Sequence, residues 1–72
     1  MNESTETLGE ALPREMARVR DEVLPAYVAI GPAGSFAAAM MRADLDRAAR
    51  ALSEGDAVAM IGVHGALKGY HT

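Results

Sequence analysis

Seventy-two residues with a net charge of −3, no cysteine, three aromatic rings and fifteen alanines make at most one small domain. A chain of this size buries only about 60% of its unfolded surface, and without cysteine it lacks disulfide staples, thiolate zinc ligands and a cysteine nucleophile. The charge is spread thinly, −3 over residues 1–24, +1 over 25–52 and −1 over 53–72, which excludes the broad basic face that unspecific binding to double-stranded nucleic acid needs.

Residues 1–11 are acidic and polar, unlike the positively charged start of a signal or transit peptide, and are expected to form a flexible segment. Thr7 followed by Glu10 has the spacing of a capping box, but Pro13 favours a first helix that begins near Leu12 and runs to about residue 30. Leu12, Met16, Val19, Val23, Tyr27 and Ile30 recur at steps of three and four, which places them on one helical face. Arg14, Glu15, Arg18, Asp21 and Glu22 fall on the opposite, solvated face, where Arg18 is within reach of Asp21 and Glu22. Pro25 removes the hydrogen bond to the Asp21 carbonyl, so a kink or a break is expected there.

Residues 23–41 carry no charge across nineteen positions, close to the length of a membrane-spanning helix. Pro25, Gly31, Pro32, Gly34 and Ser35 interrupt that run, and alanine replaces much of the leucine a span would carry. A helical hairpin inside a cytoplasmic protein is therefore expected in preference to a membrane span. Pro32 suits the first turn of a second helix, 32–53, whose apolar face combines Phe36, Met40, Met41, Leu45, Ala48 and Leu52. Arg42 with Asp46 and Asp46 with Arg50 have favourable i+4 spacing. Gly55 can then take a left-handed cap and Asp56 can cap a third helix, 56–70, leaving a loop short enough to make helices two and three an antiparallel hairpin. In that last segment Gly62, Gly65 and Gly69 each cost about 1 kcal/mol relative to alanine in a helix. A short strand over residues 57–63 is the alternative, but one strand would lack a partner within the chain.

The expected fold is all-α, with three helices, a kinked first helix packed across the hairpin, and assembly as a homo-oligomer. No nucleophile elbow, paired zinc-binding histidines or phosphate loop is present, so neither an enzyme nor a bound metal or other cofactor is expected. Two features suggest affinity for a small anion. Gly34 and Ser35 stand at a helix start, where free backbone amides attract negative charge. His64, Lys68 and His71 share a helical face beside Tyr70, and Arg42 could join them. Gly62, Gly65 and Gly69 form a small-residue stripe that, with Met60 and Phe36, makes a candidate interface for a close partner.

The stretch AIGPAGSFAAAMMRADLDRAARALSEGDAVAMIGVHGALKGY, residues 29–70, resembles short proteins of unassigned activity encoded in phages and prophages of GC-rich bacteria. The resemblance is carried by Ile30-Gly31-Pro32-Ala33-Gly34, Met41-Arg42-Ala43-Asp44-Leu45 and Ala66-Leu67-Lys68-Gly69. It implies a class of task, the blocking of host defence by binding. One mechanism is an oligomer that sequesters a nucleotide-type anion between protomers. Another is an inhibitor that sets the acidic face of Glu15, Asp21 and Glu22 against a host protein, and a third is a helical oligomer with no ligand.

Overall fold

The computed structural model describes residues 7–72, so the first six positions of the acidic segment lie outside the described residues. Every regular element among the described residues is helical. Helix α1 (Leu8–Arg18) passes through a π-helical turn (Val19–Val23) into α2 (Leu24–Ile30), and a 3₁₀ turn (Gly31–Gly34) leads into α3 (Ser35–Glu54). After Gly55 and Asp56 comes α4 (Ala57–Lys68).

Two uninterrupted helical stretches thus replace the three helices expected, because the first two merge into Leu8–Glu54. That stretch does not run straight. Forty-seven helical residues would extend about 70 Å, whereas the longest dimension of the molecule is 43 Å. The reversal falls at the 3₁₀ turn, where Gly31 adopts a φ of 84°. Gly34 then packs so tightly on the Tyr27 carbonyl that a β-carbon would overlap it. In a straight helix residues seven apart would stand about 10 Å from each other. Helical turns continue on both sides of Gly31, whose φ of 84° and ψ of −143° make the reversal, so the interruption expected after Ile30 is a bend within one helical stretch.

The first helix also begins earlier than expected, at Leu8 instead of Leu12. Thr7 and Glu10 do close the capping box, with the Thr7 N–H donating to Glu10 Oε1 at 3.0 Å. Pro13 sits inside α1 and leaves the Gly9 carbonyl without an intrahelical donor, but both residues are exposed and water can take that role. Pro25 produces neither a break nor a restart. The ladder widens ahead of it, so that the Leu24 N–H donates to the Val19 carbonyl five residues back. This π turn carries an extra residue and shifts the phase of the apolar stripe. Leu24 and Tyr27 become half-buried, and Ile30, expected in the core, is 58% exposed.

The core is made by Leu12, Val19, Val23, Met41, Ala48, Val63 and Leu67, with Met16, Leu45, Leu52, Met60 and Tyr70 packed around them. Helices α3 and α4 make the most extensive contact, and α1 packs against both. The link between α3 and α4 follows the expected chemistry. Gly55 is left-handed, its N–H donates to Leu52 O and the Asp56 N–H to Ala51 O, and Asp56 Oδ1 accepts from the Ala59 N–H at 3.1 Å. Residues 57–68 are helical, which removes the strand alternative, and the helix stops two residues short of Tyr70. On α3 two positions of the expected core face point outward: Phe36 is 77% exposed and Met40 is also exposed.

Candidate functional site

The candidate anion-binding residues fall into two places. Gly34 is buried against Tyr27, and the Ser35 hydroxyl donates to the Pro32 carbonyl at 2.9 Å, so the helix start at the bend is occupied by its own turn. The other group surrounds the end of α4, where contacts distant in sequence converge. Arg18 Nη2 donates to the Leu67 carbonyl at 3.0 Å, Tyr27 donates its hydroxyl proton to the His71 carbonyl at 3.1 Å, and the Tyr70 hydroxyl donates to Asp44 Oδ2 at 2.7 Å.

These three bonds make a clamp. Arg18 is itself held by Glu15 at 3.0 Å, and Asp44 accepts from Arg47 at 2.7 Å with only 14% of its side chain exposed. Burial first, and then the hydrogen bond to the Asp44 carboxylate, push the Tyr70 phenol up to about 12. A carboxylate beside Tyr70 repels a second anion, so Tyr70 serves to fasten α4 to α3. Sequence reasoning missed Asp44, Arg18 and Tyr27 as members of this cluster. Their partners lie 26, 49 and 44 residues away, and no local period links them.

Arg42, Lys68 and His71 are exposed and His64 is half-buried, and the side chains of all four have no ion-pair or hydrogen-bond partner among the described residues. The expected pairs of Arg42 with Asp46 and of Asp46 with Arg50 are not formed among the described residues, Arg47 pairing with Asp44 instead. The acidic face of α1 is also engaged internally. Glu15 holds Arg18, and Asp21 is gripped through both carboxylate oxygens by Arg20 at 2.8 and 2.9 Å. That hydrogen bonding keeps the Asp21 carboxyl below its ordinary range. A basic partner would find less free negative charge there than the sequence promised.

Two open grooves stand out among the described residues. One, between α3 and α4, is lined by Arg47, Arg50, Ala51, Glu54, Ala59 and Val63 and has a volume of about 190 Å³, below the roughly 300–1,000 Å³ of typical small-molecule sites. The other lies along α1 and the π turn, has about 360 Å³, and mixes Arg14 and Arg18 with Glu15, Asp21 and Glu22. Among the described residues no three histidine or carboxylate side chains gather to hold a metal ion.

The largest departure from an ordinary surface is apolar. On α4, Val58 is 80% and Ile61 63% exposed, and Gly62 and Gly65 beside them meet nothing within 4 Å of where a β-carbon would stand. Gly69 lies closer to its own chain, 3.4 Å from the Ala66 carbonyl, and Met60 is half-buried against the core. A second apolar surface surrounds the bend, with Val28, Ile30, Phe36 and Met40 exposed. Comparison with protein-family models, curated proteins and solved structures finds no match to this chain.

Proposed function

We propose that this chain is a noncatalytic binding protein whose copies associate through the outer face of α4. The setting is that of small phage accessory proteins that antagonise host defence in the bacterial cytoplasm. One observation carries the reading: from Ala57 to Leu67, α4 has no Asp, Glu, Lys or Arg, yet Val58, Ile61, Gly62 and Gly65 face solvent. A helix apolar on all sides is ordinarily covered on all sides. Gly62 and Gly65 lower the surface locally, which lets a second helix approach closely.

In this reading the assembly, and not the single chain, sequesters a small nucleotide-type anion. The groove between α3 and α4 is too small to enclose one alone, while Arg42, His64, Lys68 and His71 leave cationic or hydrogen-bonding groups free for a site shared between protomers. Mass measurement of the purified protein under native and denaturing conditions tests both parts. The expected result is a multimer that releases a bound anion on denaturation, and Ile61→Glu should convert it to a monomer. A wild-type monomer at micromolar concentration would remove the reading, and a multimer without ligand would remove its sequestration part.

A further inference from the structure

We propose that the bend between α2 and α3 inserts into the interfacial layer of a neutral, zwitterionic lipid bilayer. This goes beyond the α4 reading and uses a different surface. Residues 23–41 contain no charge, and the bend lies near their middle. From Pro32 the nearest charged residues are Glu22 on one arm and Arg42 on the other, each ten positions away. Ten helical residues rise about 15 Å, half of the roughly 30 Å hydrocarbon core of a bilayer. Both arms are thus free of charged residues of their own for longer than the roughly 5–10 Å depth of interfacial insertion.

Four of the six exposed large apolar side chains among the described residues, Val28, Ile30, Phe36 and Met40, lie within eight positions of Pro32 and face outward around the turn.

Several polar groups of the bend are satisfied within the chain, which matters in lipid, where an unpaired polar group costs several kcal/mol. The Gly31 N–H donates to the Val28 carbonyl, and Pro32 has no N–H to satisfy. Both the Ser35 N–H and the Ser35 hydroxyl donate to the Pro32 carbonyl. Because the chain reverses at 31–34, the two arms enter and leave on the same side, so the contact is a shallow wedge and not a span.

Charge selects the lipid. The flanking residues Arg20, Asp21, Glu22, Arg42 and Asp44 sum to −1, and the whole chain carries −3. Binding to an anionic leaflet would require a basic cluster of the kind that earns about 1 kcal/mol per residue there, and none borders the bend. A phosphatidylcholine surface imposes no such requirement.

The chain has no tryptophan, so Phe36→Trp introduces a single fluorophore at the bend, on a side chain already 77% exposed. With phosphatidylcholine vesicles its emission should move to the blue and be quenched by lipids brominated on their acyl chains, and wild-type protein should sediment with the vesicles. Ser53→Trp, exposed at the far end of α3, should show neither change. Adding Ile30→Asp to Phe36→Trp should lower the vesicle partition about tenfold. Circular dichroism of each variant checks that the helices are retained. An unshifted Phe36→Trp spectrum together with wild-type protein left in the supernatant would overturn the inference, as would binding that appears only when phosphatidylglycerol is added. A blue shift that grows with protein concentration in the absence of lipid would assign the bend to a second copy. Equal shifts at Phe36→Trp and Ser53→Trp would reduce the contact to unselective adsorption. The α4 reading is judged separately, by the mass of Ile61→Glu.

Discussion

Gly34 and Tyr70 show how single side chains hold the reversal and the end of the fold. A methyl group at Gly34 would overlap the Tyr27 carbonyl, and that oxygen belongs to backbone that cannot swing aside as a side-chain tip can. Gly34→Ala should therefore destabilise the protein by about 2 kcal/mol, read as a lower urea midpoint with an unchanged slope. At Tyr70 the phenol ordinarily ionises near 10.0 and in the folded chain at about 12. The unfolded chain then binds fewer protons between those values, so the stability contributed by Tyr70 is complete below pH 10 and is lost as pH rises toward 12. In a Tyr27→Phe background, phenolate absorbance reports Tyr70 alone, and Asp44→Asn should move its midpoint downward by removing the facing carboxylate. An unmoved midpoint would leave burial as the sole cause. Neither feature is legible from spacing: Gly34 reads as an anion-binding amide and nothing near Asp44 in the sequence marks it as the acceptor of Tyr70, because their partners arrive only with the fold.

At the scale of elements, local chemistry was legible where it depended on neighbours within one helical turn. The Gly55 and Asp56 caps are of this kind, and so is the spacing of Thr7 with Glu10, although Pro13 argued for a later start than the one that box sets. The response to Pro25 was not, since a missing hydrogen bond can be absorbed by a kink or by a wider turn, and packing of Val19 and Val23 into the core selects the wider turn. On α4 the glycines make a measurable distinction. Gly62 and Gly65 have open space around them, so Gly62→Ala and Gly65→Ala should each stabilise the isolated chain by about 1 kcal/mol in urea titrations at low protein concentration. Under the α4 reading the same changes should weaken association, because they fill the surface a second helix approaches. Stabilisation without weakened association would leave the stripe with no docking role.

At the scale of the whole molecule, a core of this size leaves little reserve. A chain of this length is expected to have a total stability of about 4–11 kcal/mol. Leu67 is fully buried where α1, α3 and α4 meet, and its carbonyl also receives Arg18. Leu67→Ala should cost about 3 kcal/mol and lower the melting temperature by roughly 15 °C, checked by calorimetry. The sequence by itself determined that the chain is helical and that Gly55 and Asp56 cap the last two helices, because capping is decided within a few residues. It also marked residues 57–70 as short of contacts, and their outer face is where Val58 and Ile61 meet solvent. Only the tertiary structure decided that Leu8–Glu54 bends instead of breaking, and that Phe36 and Ile30 lie outside the core. It alone also tied Arg18, Tyr27 and Asp44 to the end of α4. Those outcomes depend on helix phase and on contacts between residues far apart in the chain, and each exists only once the core has closed.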